Sequence, residues 1–167
     1  MPSVRVTSEI GGLEGVLVHT PGSELEAVTP GTREHYLYDD LIELEVSARE
    51  HRRLVSVLKK FAKVHQISDL LTQTLAVPEA REYLISRTMD VVAADPVAEQ
   101  LAELSPKALV RLLIEGSQEQ GGAISRTVNQ VEFALPPQPN LFFPRDIGLV
   151  MGDHAVVGSM RYRTRWT

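Results

Sequence analysis

The residues most able to do chemistry in this sequence lie in one eight-residue stretch, from Pro139 to Asp146. The stretch reads Pro-Asn-Leu-Phe-Phe-Pro-Arg-Asp and so combines an amide, two aromatic rings, a guanidinium and a carboxylate. A carboxylate held between aromatic residues at the start of a strand can bind a planar cation, because bidentate pairing with a guanidinium matches charge and geometry. A structural interpretation stays open beside it, with Arg145 and Asp146 flanking a strand and both phenylalanines in the core.

Nucleophiles are scarce in this chain. The 167 residues include no cysteine, which excludes disulfides, thiolate zinc sites, iron–sulfur clusters and a nucleophilic thiol within the chain. Five histidines are present, and none begins a His-x-Asp pattern. His19 lies at the end of an apolar run and His51 on a helix face, so both are interpreted as packing residues. Metalloprotease, P-loop and dinucleotide-binding motifs are absent from the sequence as well.

The elements that must position the stretch begin with a strand, a turn and a long helix. Residues Gly15 to His19 predict a buried strand that stops at Pro21-Gly22. From about Asp40 to Ala62 the apolar residues recur at helical spacing, which predicts an amphipathic helix. Its predicted buried face consists of Leu44, Ala48, His51, Val55 and Leu58. A short strand is predicted from Val64 to Ile67.

The middle of the chain carries several helix-start signals, at Val77-Pro78, Asp95-Pro96 and Ser105-Pro106. They predict a small helical bundle inserted into a fold that contains strands, followed by a loop from Gly116 to Ser125. Two apolar runs, from Ile147 to Met151 and from His154 to Gly158, are separated by Gly152-Asp153 and predict a hairpin with a type II′ turn.

Composition narrows the classes of function. Hydrophobic residues make up 43% and charged residues 23% of the chain, which is typical of a globular domain. The net charge of −5 offers no electrostatic surface for nucleic acid. No apolar stretch approaches a membrane span and no secretion signal is present, so we expect a cytoplasmic protein without a membrane partner.

Several separated stretches together resemble arginine deiminases, members of the guanidino-group modifying superfamily. They are Ser8–Leu13, Val16–Gly22, Thr29-Pro30, Leu37–Asp40 and Pro139–Asp146. The last stretch is similar to the family motif Pro-Asn-Leu-Tyr-Phe-Thr-Arg-Asp, from which it departs at Pro144; Ile147, just after it, stands where the family commonly has proline. The resemblance implies an α/β fold, a partial α/β propeller of the pentein type with an inserted small helical bundle. The expected division is a first propeller module at 1–67, the helical insertion at 68–130 and the start of a second module at 131–167.

The resemblance also assigns roles to single residues. It implies that the carboxylate of Asp146 holds the guanidinium of L-arginine and that Asn140 and Phe143 line the same pocket. It places Arg165 where the family binds the α-carboxylate of the substrate, and Leu37 where backbone or apolar contact is made. Arg145 is expected to have an orienting or structural role.

The activity implied is the hydrolysis of L-arginine to L-citrulline and ammonia, with no cofactor and no metal. In the family a cysteine attacks the guanidinium carbon and a histidine acts as acid and base, and this chain carries neither at a matching position. We therefore expect a fragment or truncated protein, part of a longer catalytic domain, that exposes strand edges and is inactive alone. A homo-oligomer is left open.

Two alternatives remain at this stage. One is a non-catalytic module that binds arginine or another guanidino compound, or that serves as an interaction module. The other is a different guanidino-modifying enzyme, of the amidinotransferase or dimethylarginine hydrolase type; the helical insertion and the position of Arg165 favour arginine over these.

Overall fold

The structure is a computed structural model that describes residues 4–92, 100–118 and 133–158. Its strands form three two-stranded sheets rather than one large sheet. The helix start predicted at Asp95-Pro96 and the site residue Arg165 lie outside the described residues.

The first sheet pairs β1 (Gly15–Val18) with β2 (Lys63–Gln66) in parallel, with Gly15 opposite Lys63 and Val18 opposite Gln66. A side-chain pair reinforces the carboxyl ends, because Thr20 and Gln66 exchange hydrogen bonds of 3.2 and 3.0 Å. The prediction of a buried strand is wrong in one respect, since Val18 is the only buried residue of β1. A single neighbouring strand leaves most of the sheet surface uncovered.

Helix α1 (Leu44–Leu58) connects these strands and is shorter than the predicted 40–62. It begins at Glu43, whose carboxylate accepts hydrogen bonds from the backbone N–H groups of Glu45 and Val46, which fixes the helix start. The predicted apolar face is confirmed: Ala48 and Val55 are buried, and Leu44, His51 and Leu58 are half-buried.

The middle of the chain is helical, as predicted. It contains α2 (Ile67–Thr74), α3 (Pro78–Val92), a helical turn at 100–103 and α4 (Pro106–Glu115). Ser105 caps α4 by accepting a hydrogen bond from the backbone N–H of Ala108, with Pro106 in the first helical position. Because these signals are local, the sequence correctly predicts the start of α4 at Pro106.

A second sheet brings the chain from the helices back toward the candidate site. It pairs β3 (Ser117–Gln118) with β4 (Phe133–Leu135) in antiparallel fashion. Gly116 ends α4 with φ +76°, and a Cβ there would lie 2.6 Å from the Leu135 carbonyl oxygen. Only glycine fits this close approach of two backbones.

The last sheet is the predicted hairpin, with β5 (Gly148–Met151) paired to β6 (His154–Val157). Gly152 has φ +60° and Asp153 does not have a positive φ, as a type II′ turn requires. The hairpin is preceded by a short helix, α5 (Pro144–Ile147), so strand β5 begins one residue later than predicted. An isolated bridge between Val6 and Gly152 ties the hairpin turn to the N-terminal segment.

Two hydrophobic clusters hold these elements together. The helical cluster consists of Leu75, Leu101, Leu109, Val110 and Ile114. The tyrosine cluster consists of Leu25, Val28, Tyr36 and Tyr38, of which Leu25 lies in a short 3-10 helix at Ser23–Ala27. The architecture is thus mixed α/β with small sheets, and the described strands do not close into a barrel.

Among the described residues, no helix is both long enough and apolar enough to cross a lipid bilayer.

Candidate functional site

Three of the predicted site residues are joined by consecutive backbone turns. The N–H of Phe143 donates to the carbonyl of Asn140 at 3.0 Å, and the N–H of Asp146 donates to the carbonyl of Phe143 at 3.1 Å. Asn140, Phe143 and Asp146 therefore follow one another at three-residue intervals along a hydrogen-bonded path. Pro139 precedes this path and is fully buried, which anchors its beginning.

Leu37 is brought to the same place from the other end of the chain by two hydrogen bonds. The Asn140 side-chain amide donates to the carbonyl of Tyr36 at 3.1 Å. The Tyr38 hydroxyl donates to the carbonyl of Pro139 at 2.6 Å. These bonds join the residues on either side of Leu37 to Pro139 and Asn140, so the two predicted site residues are neighbours although 103 positions separate them.

The backbone of Leu37 is strained. Its φ of +63° is the one positive value at a non-glycine residue in the described part of the chain. The N–H of Tyr38 donates to the carbonyl of Arg33, and the N–H of Leu37 to that of Glu34, which is the Schellman arrangement that ends a helical turn. A leucine here costs about 1 kcal/mol or more relative to glycine. Such outliers cluster at binding sites, where the surrounding structure holds them.

The segment between Asn140 and Phe143 is fixed because it packs on both hydrophobic clusters. Leu141 packs against the helical cluster. Phe142 packs against the tyrosine cluster, with its ring centroid 6.5 Å from that of Tyr38. Phe143 stacks on Phe142 at 4.0 Å but remains 41% exposed. Phe142 thus serves the core, whereas Phe143 presents its ring to the outside.

Asn140 holds an unused acceptor. Its amide nitrogen donates to Tyr36, whereas its Oδ1 atom is buried and has no hydrogen-bond partner in the part of the chain that the structure describes. Leaving a buried acceptor unsatisfied costs about 1–3 kcal/mol, so such a group in a folded protein requires an explanation. Because the atom is fully buried, a ligand N–H group reaches it only if a neighbouring side chain moves.

Asp146 and Arg145 lie in α5 and not at the start of a strand, which corrects the first interpretation of this stretch. Pro144 accounts for the change, because its fixed φ suits the first position of a helix. Asp146 is exposed at the third position of α5.

Arg145 is directed to the N-terminal segment. Its guanidinium pairs with the carboxylate of Glu9 at 2.5 Å, and both side chains are exposed. The hydrogen bond that Arg145 donates to Glu9 raises the pKa of Arg145 above its usual value, with the charge of Glu9 as the next cause. This contact is consistent with the orienting role expected for Arg145.

The structure also shows which residues the sequence missed. Tyr36 and Tyr38 received no role of their own, although they hold Leu37 against Asn140; burial raises the pKa of the Tyr36 phenol. Their positions on either side of Leu37 were the signal available in the sequence.

The two histidines that were interpreted as packing residues are both removed from solvent to some degree. His19 is buried against Glu24, and His51 is half-buried.

Comparison with known proteins identifies the family of the chain. The family model described as arginine deiminase matches residues 34–167. The chain is 32% identical to an arginine deiminase of Metamycoplasma arthritidis, over 97% of this chain and 42% of that protein. It is 30% identical to an arginine deiminase of Bacillus cereus, over 97% of this chain and 43% of that protein. The chain spans less than half the length of these relatives, and it belongs to the arginine deiminase family.

Proposed function

We propose that this chain supplies the guanidinium-binding part of an arginine deiminase-type site whose ligand is L-arginine. Asp146 holds the guanidinium, and Asn140, Phe143 and Leu37 line the pocket beside it. The observation that carries the proposal is the pair of hydrogen bonds that holds Leu37 beside Asn140, at the start of the backbone turns that lead to Asp146. Arg165 is assigned to the α-carboxylate on family resemblance.

The chemistry proposed for the complete site is hydrolysis of L-arginine to L-citrulline and ammonia. A carboxylate is suited to the binding step, because it orients a delocalised planar cation through two parallel hydrogen bonds. The covalent step requires a thiolate, and the 167 residues contain no cysteine. We therefore propose that the chain alone binds arginine without converting it.

Calorimetric titration with L-arginine tests the binding role of Asp146. We expect weak, saturable binding to the chain and loss of that binding in Asp146→Ala. Asp153→Ala is the matched control, because Asp153 is an exposed aspartate in the turn of the nearby hairpin. Unchanged binding in Asp146→Ala, or no binding to the original chain, would overturn the proposal. Citrulline formation by the purified chain would overturn the claim that it is inactive.

A second function, a non-catalytic arginine-binding module, is favoured by the absence of cysteine from this chain. The strength of binding separates the two. A finished binding module should bind arginine with a Kd of about 1 μM or tighter, whereas part of a larger pocket forms fewer contacts and should bind far more weakly. A tight Kd combined with no turnover would therefore select the second function.

We also propose the pentein-type propeller for this chain, with modules at 1–67 and 131–167 and the helical insertion at 68–130. Support comes from the single parallel pair in the first module and from α2, α3 and α4, whose side chains share the helical cluster. Within the described residues, the one strand of this segment, β3, pairs with β4 and not with the first sheet. An experimental structure in which residues 68–130 supply a strand to the sheet of β1 and β2 would contradict this division.

A further inference from the structure

A cleft of about 590 Å³ is lined by none of the residues of the candidate arginine site. It opens between the carboxyl end of β1 and the helices α2 and α4. His19 and Glu24 form its floor, Ser68, Asp69 and Thr72 contribute to the α2 wall, and Lys107 and Arg111 to the α4 wall. Its size falls in the range of small-molecule sites.

The floor of the cleft holds a buried carboxylate with one oxygen unused. Glu24 Oε1 accepts from the Gly22 N–H at 2.7 Å and lies 2.9 Å from His19 Nε2. The side chains of His19 and Glu24 are only 7% and 3% exposed. Glu24 Oε2 makes no hydrogen bond within the described ranges. This oxygen is not among the fully buried atoms that lack a partner, so it keeps some exposure and a donor within the cleft can reach it.

Gly22 makes room for that oxygen. A Cβ at this position would lie 2.7 Å from Glu24 Oε2, so any other residue would push the carboxylate away. A glycine is therefore favoured at position 22 on steric grounds, because it leaves the Glu24 carboxylate in place beneath the cleft.

The two walls carry opposite charge. Asp69 lies on α2 and forms no ion pair with any other described residue. The facing α4 wall carries Lys107, Arg111 and Glu115, and its net charge is positive. Among the described residues, Arg111 uses only its Nε atom, on Glu115 at 2.9 Å, which leaves its Nη atoms free there, and Lys107 lies in the first turn of α4. A cation in the first turn is disfavoured by the helix dipole, by about 0.3–1 kcal/mol, unless an anion binds beside it.

We propose that this cleft is a binding site for a free α-amino acid, separate from the arginine site. The ligand carboxylate lies toward Lys107 and the free Nη atoms of Arg111. Its ammonium group lies toward Asp69 and Glu24 Oε2, and the hydroxyls of Ser68 and Thr72 are within the same cleft for polar contacts. A ligand with one charge would satisfy only one wall. The proposal does not depend on the arginine deiminase function.

The test is titration of the isotopically labelled chain with L-alanine, L-leucine and L-glutamine, observed at the backbone amide of Gly22. These side chains are neutral, which separates them from a guanidino ligand. At least one amino acid should shift this amide saturably. Two leucine analogues, 4-methylpentanoate without the ammonium and 3-methylbutylamine without the carboxylate, should bind at least about tenfold more weakly than leucine if leucine binds. Absence of a saturable shift with all three amino acids would overturn the proposal.

Two variants locate the binding. Lys107→Met and Asp69→Asn change exposed side chains, so both should fold, and each should weaken binding by about tenfold. Lys60→Met and Asp153→Asn are the matched controls, since both residues are exposed and lie outside the cleft. Asp146→Ala should also leave this binding unchanged, which distinguishes failure of the cleft from failure of the arginine site. Equal binding in all variants would overturn the proposal.

Discussion

The hydroxyl of Tyr38 makes a bond on which the position of Leu37 and Asn140 depends. It donates to the Pro139 carbonyl from a buried ring, across 101 positions of sequence. Tyr38→Phe keeps the ring and removes this donor, so the free energy of unfolding should fall by about 1–2 kcal/mol. Urea unfolding measures this as a lower midpoint with an unchanged slope. The control is Tyr83→Phe, an exposed tyrosine on α3; a Tyr38→Phe effect no larger than this control would contradict the role.

His51 should make stability depend on pH. Burial lowers its pKa below the usual value, and the nearby His19 lowers it further. The unfolded chain therefore binds more protons at this residue below about pH 6.5, so stability rises with pH through that region and is lost as pH falls. Between about pH 7 and about pH 5, His51→Leu should flatten the decline in unfolding free energy. The exposed His35→Leu variant controls for the loss of a histidine, and an unchanged slope in His51→Leu would show this expectation to be wrong.

At the residue scale, the sequence was most informative where the candidate functional residues lie close together in one short stretch. Asn140, Phe143 and Asp146 were predicted together and are joined by turns. The roles of Tyr36 and Tyr38 could not be predicted, because each depends on contacts with residues 139–140 that no local pattern encodes.

Among the elements, the two glycines with positive φ offer a direct comparison. Gly116 and Gly152 have similar φ values, but a Cβ on Gly116 would meet the backbone of Leu135 and Pro137, whereas a Cβ on Gly152 would meet open space. Gly152→Ala should cost about 1 kcal/mol for the backbone conformation alone. Gly116→Ala should cost more than about 2 kcal/mol, because the clash adds to the same penalty. Thermal unfolding of both variants measures the difference, and equal losses would contradict the close packing at Gly116.

Helix starts were predictable because their signals are local, as Ser105 and Pro106 show at α4. Burial was less predictable, because it depends on what covers an element. Val16 and Leu17 have the β-branched and apolar character of a buried strand, yet β1 has only β2 beside it. Pro144 begins a short helix just before residues that were interpreted as the start of a strand, and this helix delays β5 to Gly148.

At the scale of the whole molecule, the hairpin of β5 and β6 has few contacts with other described elements apart from α5. A two-stranded hairpin is marginal alone, and the bridge between Val6 and Gly152 supplies one of its few ties to the rest of the chain. Both its strands are largely exposed, including three apolar residues on one face: Leu149, Met151 and Val156. An apolar sheet face with free edges favours association with another polypeptide.

This face should make the purified chain self-associate as its concentration rises. Leu149 and Val156 are cross-strand partners, so Leu149→Thr combined with Val156→Thr removes apolar surface while keeping residues that suit strands. We expect sedimentation velocity to show a smaller concentration-dependent increase in mass for this double variant. The matched control is Val46→Thr with Val57→Thr, which alters two exposed valines on α1. If the hairpin variant associates as strongly as this control, the hairpin face is not the contact surface. If the original chain stays monomeric at every concentration, the expected self-association does not occur.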